Sequence, residues 1–307
     1  MNPSLWLSSP KKWEGGFVLF PRPKGNRPLR EIGVDQITRT VRDLVIQSGI
    51  DLPEDLIAAL ERGLQIEGSP TGRQVLTDLI ENAKIARRER LPACQDTGVA
   101  ILFLEIGQEV RIIGGDLPKA LEEGVRQGYR DGYFRKSTLD PLERINFGDN
   151  TPPIVHWEMV PGGRLKIGVM SKGFGGENMS QVKLYPPSVG LEGLMDEVVN
   201  IVFQAGANAC PPVIVGVGIG GDLEKAALIA KKSLFRRIGQ ENPKPEIAGM
   251  ERDLLRRIND LGIGPAGLGG RVTALAVFIE TFPTHIASLP LAVNIQCNSH
   301  RHKEAVL

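Results

Sequence analysis

The chain has 307 residues, 41% of them hydrophobic and 24% charged, which is enough apolar material for a sizeable core in one large domain or two lobes. Its 37 basic and 36 acidic residues leave a formal charge of +1, so it carries no electrostatic footprint for nucleic acid or an anionic membrane. No apolar run reaches the roughly 18–20 residues of a membrane span, and the opening MNPSLWLSSPKKWEGG lacks the unbroken apolar core of a signal peptide; a soluble cytoplasmic protein is expected.

Residues 1–30, rich in proline and basic charge and without sustained periodicity, read as an N-terminal arm, and residues 31–307 as the functional domain. A helical period begins at Asp35, where Leu44 and Val45 follow Val41 at i+3 and i+4 and Gly49 stops the run. A second helix follows Pro53, and a third spans about 72–89, so the first third is helical. VAILFLEI (99–106) then reads as a buried strand, and 117–131 as a helix. PIVHWEMV and RLKIGVM flank a Pro-Gly-Gly and predict a hairpin. Beyond them come a helix at 190–206, a strand at 212–219, helices at 222–238 and 246–260, and two closing strands, RVTALAVFIET and LPLAVNIQ. Helices and strands mix without strict alternation. The expected class is therefore α+β (mixed α/β), a helical N-terminal part followed by mixed sheets flanked by helices.

Three cysteines lie far apart, at 94, 210 and 297, an odd number unsuited to a disulfide framework. Any one of them alone reads as a buried thiol packed like a small hydrophobe. Each, however, sits in a turning segment beside a proposed strand: LPACQDTG (91–98), NACPPVIVGVGIGG (208–221) and NIQCNSHRH (294–302). Three thiolates converging there suit a soft metal centre. Tetrahedral zinc, with His300 or His302 as fourth ligand, is one option, although no close cysteine pair of the usual zinc kind exists. A four-iron cluster is the other; three thiolates would leave one iron open to act as a Lewis acid.

These residues carry a resemblance. PACQDTG, KGFGGENMS, ACPP with GIGGDLEKA, THIASLP and the terminal C-x-x-H-R-H resemble, in order, the motifs of the class I iron–sulfur fumarases and tartrate dehydratases, over about 31–307. The resemblance implies a [4Fe-4S] cluster held by Cys94, Cys210 and Cys297, with Gln95 binding substrate and Asp96 helping to protonate the departing hydroxyl. It further implies that Arg135 clamps a substrate carboxylate, that His285 stands near the substrate as a catalytic residue sharing with Asp96 the supply of that proton, and that the backbone of Gly175 approaches the substrate. The loop departs from the family's K-G-G-G-S-E-N pattern at Phe174 and Gly176. The activity implied is interconversion of fumarate and L-malate, with L-tartrate dehydration as the alternative; the base that takes the carbon-bound proton belongs to a second domain. This chain stops ten residues after Cys297, so a separate beta subunit is the expected partner in a hetero-oligomer. A redox-sensing or electron-transfer iron–sulfur protein is the reading from another class, disfavoured because no fourth ligand is evident. Gly216, Gly218 and Gly221 form a literal dinucleotide fingerprint, but no second strand with its acidic residue follows, and His156 reads as structural.

Overall fold

A computed structural model describes residues 29–307. The expected arm therefore lies outside the described residues, apart from exposed Leu29 and from Arg30, which already opens a strand. That short strand, β1 (Arg30–Gly33), precedes α1 (Val34–Ile50), α2 (Glu54–Ile66) and α3 (Pro70–Glu89). Local chemistry sets these boundaries. Ser69 caps α3 by accepting from the Gly72 amide at 3.2 Å, Pro70 fills the first turn, and Arg90 ends the helix in the left-handed conformation. On α1 the buried stripe is Ile37, Val41, Leu44 and Val45, as the sequence period requires.

The rest of the chain builds two mixed four-stranded sheets. One has the order β10–β5–β2–β4, from His302–Val306, Leu165–Lys172, Val99–Gly107 and Ile154–Val160. The other has the order β6–β9–β7–β8, from Gln181–Tyr185, Leu289–Gln296, Val213–Gly220 and Ala274–Phe282. A strand β3 (Val110–Ile113) pairs in parallel with β1. The helices are α4 (Leu117–Asp131), the single turn α5 (Phe174–Glu177), α6 (Gly190–Ala205), α7 (Leu223–Ser233) and α8 (Pro245–Asn259).

β2 and β7 are apolar on both faces because each has a core on both faces. Ala100, Leu102 and Leu104 of β2 join α1 and α4 in one core, while Ile101 and Phe103 face a second core shared with α2, α3 and the other sheet. On β7, Val213, Val215 and Val217 join α6 and α8, and Ile214 faces that shared core. The same core takes in Met170, Ala276 and Phe278 and so welds the two sheets into one body.

The predicted hairpin does not form. β2 lies between β4 and β5, parallel to the first and antiparallel to the second. The Pro-Gly-Gly turn instead wraps the end of β2: the Gly107 amide donates to Arg164 and that of Gln108 to Val160, each at 2.9 Å. A strand buried on both faces satisfies its backbone best with a neighbour on each side, and this outweighs the local turn signal. The helix expected at 222–238 ends at Ser233, and the strand expected from Arg271 starts only at Ala274.

The fingerprint glycines have a mechanical purpose. A Cβ on Gly216 would collide with the Ala230 carbonyl, and one on Gly218 with the Ala226 carbonyl, so bare backbone lets α7 lie directly on β7.

Candidate active site

The three cysteines come from three elements that meet at one end of both sheets. Cys94 lies in the loop between α3 and β2, Cys210 follows a 3-10 turn (Gly206–Ala209) ahead of β7, and Cys297 follows β9. Antiparallel pairing of β7 with β9 sets Ile214 beside Gln296, which brings the second and third cysteines together. Asn298 secures them: its amide and its Nδ2 donate to the Cys210 carbonyl at 3.2 and 2.9 Å. The other sheet delivers Cys94, since β2 starts at Val99 opposite Lys172, the last residue of β5. Lys172 in turn donates to the Ile295 carbonyl of β9 at 2.6 Å, tying the two sheet ends.

Electrostatics registers the convergence. Burial pushes the Cys94 thiol up; the Arg301 charge and a hydrogen bond from the Asp96 amide oppose this, and the negative charges of Cys297 and Asp96 reinforce it. Cys210 is raised by burial and then by the negative charges of Cys297, Cys94 and Asp96. All three are free thiols; Cys210 is exposed and the other two half-buried.

Around them stand most of the residues singled out in the sequence. Asp96 is fixed by two loops at once, its Oδ1 accepting from the Gly98 amide at 3.0 Å and its Oδ2 from the Phe174 amide at 2.8 Å. Each oxygen keeps a further lone pair for a ligand. Gln95 is exposed beside Cys94, whose Sγ approaches Gln95 Oε1 at 3.5 Å. A Cβ on Gly175 would lie 3.3 Å from the Asn208 carbonyl and 3.8 Å from Cys210 Sγ, so the glycine keeps the space over that thiol open. Arg135 is exposed, and Thr97 Oγ1 donates to its carbonyl at 2.8 Å, anchoring it to the Cys94 loop. Among the described residues its guanidinium has no hydrogen bond or ion pair, which leaves the fork available. Phe174 of the departing loop pattern is exposed, and Gly176 is buried against the Ile295 carbonyl at 2.6 Å from where its Cβ would stand.

His285 is not brought to this place. β8 runs parallel to β7, away from Cys210, and His285 follows its far end. The eight residues of β7, at roughly 3.3 Å each, put about 25 Å between His285 and the thiols of the same chain. It is exposed, and its Nδ1 accepts from the Ala287 amide at 3.2 Å. Buried His300 and half-buried His302 pack against one another with ring centroids 4.6 Å apart. Among the described residues no three His, Cys, Asp or Glu side chains, the cysteines included, close on a single point suited to one metal ion. His156 stacks on Phe103 at 4.7 Å, a packing role.

Several residues of the site were not singled out in the sequence. Tyr129 donates from its hydroxyl to the carbonyls of Thr97 and Gly98 at 3.0 and 2.8 Å. Asn150 Oδ1 accepts from the amides of Ser137 and Thr138 at 2.6 and 3.0 Å, and its Nδ2 donates to Gly98, which fixes the loop carrying Arg135. Buried Lys172 pairs with Glu177 at 3.2 Å, and Glu177 also takes Lys231 and Asn294 Nδ2. Arg301 is 1% exposed, and none of its side-chain nitrogens has a hydrogen-bond partner among the described residues. Three soft thiols with no fourth, beside a buried cation that lacks a counter-charge, form a donor set suited to an iron–sulfur cluster.

A family model described as Fumarate hydratase (Fumerase) matches residues 38–306. The chain is 41% identical over 274 residues to the putative L(+)-tartrate dehydratase subunit alpha of Methanocaldococcus jannaschii, covering 87% of this chain and 95% of that one. It is 32% identical over 276 residues to the L(+)-tartrate dehydratase subunit alpha of Escherichia coli strain UTI89, covering 89% of this chain and 91% of that one. The counterpart from strain K12 is 31% identical over 276 residues, with the same shares covered. With a family match running from the first helix to the last strand and relatives above 30% identity covered over nine-tenths of their length, the chain belongs to the class I fumarate hydratase family and is a hydro-lyase.

Proposed function

We propose that the chain is the alpha subunit of an iron–sulfur L-tartrate dehydratase, which eliminates water from L-tartrate to give oxaloacetate in the cytoplasm. The arrival of the loops of Cys94, Cys210 and Cys297 at adjoining sheet ends, beside Asp96, is the observation that supports the chemistry. The names of the relatives favour tartrate over the fumarate expected from the motifs. Fumarate hydration is the second reading, supported by the description of the matching family model.

The three cysteines would hold a [4Fe-4S] cluster, which when bound supplies an open iron as Lewis acid for the substrate's hydroxyl and carboxylate. Arg135 offers its free guanidinium fork to a carboxylate, and the Gln95 amide hydrogen-bonds a substrate oxygen. Asp96, pinned by two backbone amides, stands where a proton is handed to the departing hydroxyl. The backbone at Gly175 lies close against the substrate. His285 would reach such a site only from a second copy of the chain. Mixed oligomers of Cys94→Ala and His285→Ala chains should then regain activity that neither has alone; no regain would remove His285 from the site.

The carbon-bound proton needs a base that these residues do not provide. We assign it to a beta subunit covering the cysteine face, where Cys210, Gln95, Arg135 and Gly175 are all exposed. A covering partner excludes water and completes the acid–base pair. The test is anaerobic reconstitution of the chain with its beta partner, followed by separate assays of L-tartrate and fumarate. We expect kcat/KM for tartrate to exceed that for fumarate at least tenfold, and the isolated chain to be inactive. Preference for fumarate would establish the second reading, and full turnover by the isolated chain would refute the division of labour.

A further inference from the structure

We infer that Arg301 is the cationic anchor of the cysteine centre, a positioning residue whose buried guanidinium donates to the thiolate-bound group and holds it in the chain. The inference rests on the reading of the three cysteines as cluster ligands.

Interior cations elsewhere in this molecule have counter-charges. Lys172, wholly buried, is met by Glu177 at 3.2 Å, and Arg236, largely buried, is met by Glu251 at 2.5 Å. Arg301 is buried as deeply, yet its Nε, Nη1 and Nη2 have no partner among the described residues. An unpaired interior charge is costly, so such a residue persists where something anionic meets it. Asp96 does not, although it is near. A Cβ on Gly173 would stand 3.1 Å from both Arg301 Nη2 and Asp96 Oδ2, yet among the described residues the two side chains form no hydrogen bond, and Asp96 is held instead by the amides of Gly98 and Phe174. What the same loop also borders is the thiol group: a Cβ on Gly173 would stand 3.1 Å from Arg301 Nη2, and one on Gly175, two residues on, 3.8 Å from Cys210 Sγ.

The backbone shows that this position is built. Arg301 lies four residues beyond Cys297, between that ligand and β10, and its carbonyl accepts from the Ser171 amide at 3.1 Å. The guanidinium is thereby carried to the junction of the two sheet ends, under the loop Gly173–Gly176. A planar fork with five N–H donors can address several sulfur acceptors of one face together, which a lysine ammonium on a flexible stem does not.

The test compares the parent full chain with Arg301→Met and Arg301→Lys, each with and without an anaerobically reconstituted cluster. Iron and acid-labile sulfide are measured first. If the parent takes up no cluster, the ligand reading itself fails and this inference with it. If the parent is loaded, the rate of cluster loss to a chelator and the urea midpoint of the cluster-free chain are read. Loss from Arg301→Met should be at least tenfold faster than from the parent, in line with the effect of outer partners on metal sites, with Arg301→Lys in between. The cluster-free Arg301→Met chain should unfold at the same or a higher urea concentration than the cluster-free parent, because an unpaired charge has been replaced by an apolar side chain of similar length. Opposite signs in the two states separate an anchor from a structural arginine. A cluster-loss rate within twofold of the parent, or a lowered urea midpoint of the cluster-free variant, would overturn the inference. Arg301→Lys keeps it testable if Arg301→Met does not fold.

Discussion

Replacing Glu177 by glutamine should destabilise the chain through the lysine it leaves behind. Glu177 sits on α5, in the loop over the cysteines, and receives Lys172 at 3.2 Å, Lys231, and Asn294 Nδ2 at 3.0 Å. Those cations, opposed by burial, hold its carboxyl at about 2, against an ordinary value of 4.5. At about 1.4 kcal/mol per unit, that difference corresponds to about 3–4 kcal/mol of stability at neutral pH. The carboxyl is depressed in the folded chain, so its contribution is complete above pH 4.5 and is lost as pH falls towards 2. Burial pulls Lys172 the other way, lowering its affinity for a proton, so the pair as a whole contributes less than the glutamate's share. Glu177→Gln leaves Lys172, 0% exposed, with only the Ile295 carbonyl opposite it. We expect a loss of about 3–5 kcal/mol at pH 7, the range for breaking a buried pair. Urea unfolding across pH 2.5–7 is the assay, and below pH 4 the variant and parent should draw together. Adding Lys172→Met to Glu177→Gln should restore at least half of the loss, because the stranded charge is gone. A single variant within 1 kcal/mol of the parent at pH 7, or a double variant no better than the single, would refute the reasoning.

Asp96→Asn keeps the side chain's size but removes the acid; turnover of the complete enzyme should fall by roughly 10²–10⁴ while iron content stays unchanged. If activity remains within a few-fold of the parent, Asp96 merely holds the two loops together. Anaerobically prepared protein should contain about four irons per chain, and brief exposure to oxygen should leave about three, because the iron without a thiolate is the one released. Stoichiometric zinc in freshly isolated active protein would contradict this.

Much of the fold was legible where a single physical signal dominated. The period of Val41, Leu44 and Val45 gave α1, and the unbroken apolar run from Val99 gave β2, because both faces of that strand are buried. Pairing was not legible. The turn at Pro161 looked like a hairpin, yet β2 takes the place between β4 and β5, a non-local choice that no short window contains. The short strands β1, β3, β6 and β10 carry too few residues to show a period, and β10 starts only at the last histidine of the motif after Cys297. In the site, the thiols, Asp96 and Gln95 could be found from their shared loops. Lys172, Glu177 and Arg301 stand within the quoted motifs but read there as ordinary charged residues, because only the structure shows their burial. Tyr129 and Asn150 act through backbone carbonyls and amides, contacts that leave no pattern in side-chain chemistry.

Cys94, Cys210 and Cys297 divide the chain into spans of 116 (210 − 94) and 87 (297 − 210) residues. A group gripped by all three is therefore a staple across most of the polypeptide, closing two long loops at one point where the sheets end. Its complete loss would remove the Lewis acid and, in the same event, one tie among the ends of β2, β7 and β9, leaving the hydrogen bonds of Asn298 and Lys172 to hold them. On the reading of these cysteines as cluster ligands, complete loss of the group would lower the stability of the whole chain as well as its activity, whereas loss of the one iron without a thiolate would leave the three-point grip in place.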